Sequence, residues 1–268
     1  MKKNSIILSV FVIALSLTAF GVINNIKIDS NEKQLAAIEI DLVKTSTPNE
    51  IEKEKFIDFN FDIGPRFASF EKNKAKTVKS IYDVFDEQET KAMLSYTSVS
   101  IIKIINDEQT NIREIGYSKT LTEAQLRLLN SLEYSDSFLI RLDYQQKNKE
   151  TGALEENYHS PHYTIVPAKQ AQFSEGREQL LHYLRNNSAD VLVNIKEKLL
   201  QPAKLYFTVT QTGEVDNIRL DRSSNYPAID ARMIELLYKL PGRWIPAENE
   251  DGQKVAQELV ISFGLLGC

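Results

Sequence analysis

Between residues 203 and 265 the spacing of apolar positions changes period and then changes back. Leu205, Phe207 and Val209 alternate with Tyr206, Thr208 and Thr210, the period-two signature of a half-buried strand. Gln211-Thr212-Gly213 follows, and a glycine between two such runs predicts a hairpin turn. Val215, Ile218 and Leu220 then mark a second strand. Their spacing of three and then two predicts a bulge near Asp216-Asn217. Ile229, Met233, Leu236, Leu237 and Leu240 recur every three or four residues, giving the single apolar stripe of a helix. Pro227 suits its first turn, where a missing N–H costs nothing, and Pro241-Gly242 ends it. Leu259, Ile261, Phe263 and Leu265 alternate as a third strand. Three antiparallel strands cannot bury both faces alone, so the helix must cover one of them.

Residues 77–166 repeat that order. Val78, Ile81, Tyr82 and Phe85 predict a short helix. The β-branched run Val99, Ile101, Ile102, Ile104, Ile105 predicts a strand that Ile112 and Ile115 continue into a second. Thr122-x-x-Gln125 has the form of a capping box before Leu126, Leu128, Leu129 and Leu132. Phe138, Ile140 and Leu142 alternate as a strand, Thr151-Gly152 turns, and Tyr158 to Val166 returns. The strand, strand, helix, strand order suggests a degenerate repeat or a similar architecture.

The first residues have another character. Lys2-Lys3 precede an uncharged run from Asn4 to Ile26. At ~1.5 Å per residue this reaches ~34 Å, enough for a ~30 Å hydrocarbon core. The lysines would stay cytoplasmic. A signal peptide cut after the small residues Ala19 and Gly21 is the competing reading. Both readings put the rest of the chain outside the cytoplasm. Residues 27–76 read as a linker. Within it, Phe59, Phe61 and Ile63 alternate ahead of Gly64-Pro65, as in an isolated strand or a docking segment that packs on the following domain.

Composition adds limits. The chain has 268 residues, 42% hydrophobic and 26% charged, with a net charge of −5 from interspersed acids and bases. That is an ordinary globular balance, and it gives no reason to expect nucleic acid. The single cysteine, Cys268, allows no internal disulfide. His159 and His162 flank Pro161 and cannot share a helical face; no cysteine or carboxylate completes a metal set beside them. His182 lies within a predicted helix, Arg177 to Arg185. Ser223 and Ser224 suit a turn or cap. There is no Gly-rich phosphate loop. No enzymatic activity, catalytic residue, metal or cofactor is therefore expected.

Taken in order, Phe207-x-Val209, Gly213-x-Val215, Ser223-Ser224, Pro227, Ile229-Asp230, Trp244-x-Pro246-Ala247, Gly252 and the closing strand from Val260 to Phe263 resemble the C-terminal domain of the TonB family. Upstream, Pro167 to Phe173, through Gly176 and Leu180, resembles that family's lead-in helix. The resemblance covers residues 167–265. It implies an α+β fold, a small antiparallel sheet packed against helices, in an inner-membrane protein whose bulk lies in the periplasm. The domains read as 1–26 anchor, 27–76 linker, 77–166 α+β domain and 167–268 TonB-like domain. The implied partners are peptide segments of outer-membrane receptors, inner-membrane motor subunits and a second copy of the chain.

In the family the partner peptide adds as a strand along the sheet edge. Here that edge would be Val255 to Leu265. The candidate contacts are Glu258, Val260, Ile261, Ser262 and Phe263, with Trp244 as a possible ligand-facing aromatic. Leu259 to Phe263 carries no charge that would discourage pairing, so something is expected to cover it: a receptor segment, a second copy, or the chain's own Phe56–Ile63. Two departures bear on function. The anchor has no histidine, which in the family accompanies coupling to the proton-driven motor, and the linker lacks a long Pro-rich spacer. An adaptor or assembly role without energy transduction is the alternative.

Overall fold

Two sheets, one mixed and one antiparallel, organise residues 59–193 and 195–265, the part of the chain described by the computed structural model. The expected anchor, the linker as far as Asp58, and Cys268 lie outside the described residues. Among the described residues, no helix is long and apolar enough to cross a membrane.

The described chain opens with β1 (Asn60–Gly64), β2 (Ala68–Glu71) and α1 (Lys72–Thr77). A 3-10 turn, Ile81–Asp83, leads to α2 (Glu87–Thr90), β3 (Ser95–Ile105), β4 (Glu108–Gly116) and α3 (Glu123–Ser131). Then come β5 (Ser137–Lys147), β6 (Leu154–His159) and β7 (His162–Val166). The last third holds β8 (Gln172–Phe173), α4 (Arg177–Ser188), β9 (Ala203–Val209), β10 (Val215–Arg222) and α5 (Pro227–Tyr238). The short β11 (Trp244–Ile245), β12 (Ala247–Glu248) and β13 (Lys254–Val255) precede β14 (Gln257–Gly264).

The first sheet runs β2-β7-β5-β3-β4, with β6 also beside β5; the second runs β1-β14-β9-β10. We call the two regions the first and second lobes. They share one topology. A central strand, β3 or β9, pairs with its hairpin partner, β4 or β10, on one side. On the other side lies the strand that returns after the helix, β5 or β14, and every one of these pairings is antiparallel.

The lobes differ in what flanks the returning strand. β5 is flanked by β6 and β7, the next segments of the chain, separated by a break at Ser160-Pro161. β14 is flanked by β1, antiparallel, with Phe61 opposite Phe263 and Ile63 opposite Ile261. The first lobe is thus inserted, in sequence, between β1 and the rest of the second sheet. Residues 59–76, expected within a linker, divide between the lobes: β1 joins the second, and β2 and α1 join the first.

Local chemistry explains the elements. Asn106 and Asp107 hold φ of 53° and 63°, and two consecutive positive φ values suit the tight turn joining β3 to β4. Thr122 and Gln125 form the expected capping box, and Gln125 Nε2 also donates to the Val99 carbonyl at 2.7 Å. The bulge in β10 falls where the spacing placed it, with Asn217 at φ 50°. Pro227 opens α5. Ser223 Oγ and the Ser224 amide both donate to the Asp230 carboxylate, a structural role for that serine pair.

Two expectations are corrected. The helix near Val78 lies earlier, at Lys72–Thr77, while Val78, Ile81 and Phe85 are buried beside a 3-10 turn. Pro167 to Phe173 is extended rather than helical. Its amides are taken by distant partners, Lys169 by the Glu248 carbonyl and Ala171 by Gln257 Oε1 at 2.7 Å, which a helix would not permit.

Each sheet buries one face under helices. Phe70, Ile101, Leu129, Phe138 and Ile140 form the first core; Leu184, Phe207, Ile229, Leu237 and Phe263 form the second. Polar contacts join the lobes. The Glu258 amide donates to Ser135 Oγ at 2.9 Å, Gln170 Nε2 to Ser69 Oγ at 3.2 Å, and Lys76 pairs with Glu250 at 3.4 Å. Arg66, just past β1, forks onto Asp107. Burial opposes ionisation of Asp107, yet the Arg66 guanidinium holds its carboxyl below the usual carboxylate range.

Candidate functional site

The expected recognition strand, β14, lies inside its sheet. β9 takes one side along Gln257–Phe263, and β1 takes the other along Val260–Gly264. Of the three occupants considered for this edge, the described chain supplies its own, the segment around Phe59 to Ile63.

Several features hold β1 there. Phe61 and Ile63 are buried in the second core, and Phe59 packs against Phe61 and Phe263 at ring-centroid separations of 5.1 and 6.4 Å. From α4, Arg177 pairs with the Asp62 carboxylate and donates to the Ile63 carbonyl. That contact also occupies part of the new outer edge that β1 presents.

The candidate side chains fall into three groups. Ile261 and Phe263 point into the second core. Val260 is buried on the opposite face, in register with Tyr206. Glu258 pairs with Arg219 at 2.9 Å, and its amide is held by Ser135. Ser262 alone is part-exposed without a tie of that kind, beside Asp62 of β1. What this edge offers is main chain, and that main chain is already paired over five residues.

Trp244 is 6% exposed and packs on Phe173 and Phe207 at 5.7 and 5.4 Å. It is a core residue, and it is one of the residues lining a cavity of about 390 Å³ bounded by Ile63, Ala171, Leu180 and Leu259. His159 stacks edge-on against Phe85 at 5.4 Å, and His162 lies 5.0 Å from the Phe67 ring. Among the described residues no three metal-ligating side chains come together.

Sequence reasoning missed two things: the inserted position of the first lobe, and the arginine at position 177 that clamps β1. Alternation at Phe59, Phe61 and Ile63 signalled a strand, and the uncharged Leu259–Phe263 edge made that strand one of three candidate covers, but no local signal chose among them.

The class that fold and site define is an α+β protein of two like-ordered lobes. No family model, no curated protein and no solved structure matches the chain.

Proposed function

We propose that the chain is a TonB-like protein-binding module of the cell envelope, tethered by its N-terminal apolar run, with a peptide-strand recognition edge at β14. The observation that carries this reading is the β14 edge itself. It accepts a short strand in continuous antiparallel register over Asn60–Gly64, the main-chain mode by which sheet edges capture peptides. In the resting chain the captured strand is its own. A segment of an outer-membrane transporter would have to take the place of β1, so partner engagement is an exchange rather than a simple addition.

A second reading draws on a different observation. Phe61 and Ile63 belong to the second core, and removing them from it costs free energy that a simple edge ligand would not. A permanent β1 suits a periplasmic adaptor or assembly protein without energy transduction. The anchor without histidine agrees with it.

One experiment separates them. Asp62 and Ser262 face each other across β1 and β14. Asp62→Cys with Ser262→Cys, in a Cys268→Ser background, locks β1 when oxidised and frees it when reduced. Capture of an outer-membrane transporter from envelopes by the reduced form alone supports exchange. Equal capture by both forms places the partner elsewhere, and capture by neither favours the adaptor.

A further inference from the structure

One row of register partners crosses the whole second sheet. It runs Arg222, Lys204, Ser262, Asp62, from β10 through β9 and β14 to β1. Side chains directly opposite one another stand on the same face of a sheet. Lys204 and Ser262 lie two positions from Tyr206 and Val260, on the face away from the second core. All four residues of the row line a cavity of about 480 Å³, together with Arg66 and Leu265. Lys204 and Ser262 are half-buried and Arg222 is exposed, so their donors can be reached from solvent.

Two neighbours in this row are cations, and like charges directly opposite on paired strands repel. Neither the Lys204 nor the Arg222 side chain has an ion pair or hydrogen bond with another described residue, and the Ser262 hydroxyl is equally free. The nearby carboxylates do not cancel the charge. Asp62 is taken by Arg177, and Asp107 by Arg66. Asp221 lies near Lys204 without forming an ion pair. Burial first, then the Arg66 and Arg222 guanidiniums, hold the Lys204 ammonium below the usual lysine value, and Asp107 and Asp221 offset only part of this. Three ammonium N–H groups, a guanidinium fork and a hydroxyl are more donors than one carboxylate accepts. They match the several terminal oxygens of a phosphate.

We propose that this cavity binds a phosphate group, with Lys204 and Arg222 as its charged donors and the Ser262 hydroxyl beside them. The anion relieves a repulsion that the empty fold carries. Asn60, Phe61 and Asp62 supply the β1 side of the cavity, so the phosphate and the docked strand stabilise each other. This site lies apart from any strand-recognition role and does not depend on it.

Titration calorimetry of the full chain with inorganic phosphate, at low ionic strength, should show one saturable site. Lys204→Gln and Arg222→Gln, each checked for folding by circular dichroism, should bind roughly 10- to 100-fold more weakly, the loss of one charge-assisted hydrogen bond. Arg243→Gln, which removes an exposed cation outside the cavity, should bind as the wild type does. Phosphate should also slow amide exchange across Asn60–Gly64. Glycerol 3-phosphate and dioctanoyl phosphatidate then identify the source. Tighter binding of the phosphatidate assigns the group to a lipid headgroup, and equal or weaker binding assigns it to a soluble monoester. No saturable binding of phosphate by the wild type overturns the proposal. So does unchanged affinity in folded Lys204→Gln and Arg222→Gln, or an equal loss in Arg243→Gln.

Discussion

The two lobes solve one problem in two ways. Each builds a central strand, a hairpin partner, a helix and a returning strand in the same spatial order. Each then has to flank the returning strand. The first lobe does so with what comes next in the chain, since β6 and β7 follow β5 and fold back along it. The second lobe uses β1, which lies beyond the whole of the first lobe in sequence. A flank supplied by a local turn closes with little loop entropy; one supplied from far away closes late and can leave without unravelling its neighbours. The shared topology therefore hides a difference in how readily each outer strand exchanges.

The largest expected effect tests the shared part. Phe138, on the returning strand β5 of the first lobe, and Phe207, on the central strand β9 of the second, are each fully buried in their cores. Phe138→Ala and Phe207→Ala should each cost about 3–5 kcal/mol by denaturant unfolding. A near-zero loss for either would remove the corresponding sheet–helix core from the account.

The next effect tests the difference. Phe61→Ala removes a buried aromatic from β1 and should cost roughly 2–3 kcal/mol, less than Phe207→Ala because β1 can detach while β9, β10 and β14 remain packed. Limited proteolysis should then cut first near residues 59–67. A loss as large as that of Phe207→Ala, with no early cleavage, would make β1 as integral as β6 and β7.

Much of this arrangement was legible because the period of apolar residues reports a face. Leu205, Phe207 and Val209 gave a strand, the Ile229–Leu240 stripe gave a helix, and Thr122-x-x-Gln125 gave a start. Phe59, Phe61 and Ile63 were legible as a strand by the same logic; packing of that stretch on the following domain was expected, and it packs instead in the core of the second lobe. The Leu259–Phe263 edge was one partner considered for it, because that edge carries no guarding charge; what the sequence could not decide was which of the three candidate occupants fills the edge, since pairing across most of the chain leaves no local trace. Pro167 to Phe173 misled for a related reason: its amides are satisfied by Glu248 and Gln257, so no local propensity governs them.

A pH prediction probes the lobes and their junction together. Burial, the leading cause in each case, pushes the phenols of Tyr96, Tyr163 and Tyr206 up to about 12. Tyr96 and Tyr163 belong to the first lobe, and Tyr206 lies on the face of the second sheet near Arg66. These groups favour the neutral form in the fold, so their stabilisation is complete below about pH 10, the unfolded value. It is lost as pH rises from there through about 12. Denaturant midpoints should fall over that window, and tyrosinate absorbance of the native protein should rise late. Ordinary titration of every tyrosine near pH 10 in the folded protein would contradict the burial.

The smallest effect concerns the clamp. Arg177 and Asp62 are about half and three-quarters exposed, so the ion pair itself contributes at most about 1 kcal/mol. Arg177→Ala should therefore leave global stability nearly unchanged while raising the exchange rate of β1 amides. No change in either would show that Phe61 and Ile63 alone hold the strand.

Amide hydrogen exchange across Asn60–Gly64 in the native full chain tests the central claim most directly. The account predicts protection well above that of an unstructured peptide of the same sequence, yet below that of β6, β7 and β9, because β1 opens without the rest of its sheet. Exchange at the unstructured rate would mean that β14 is a bare edge and that the resident strand does not exist.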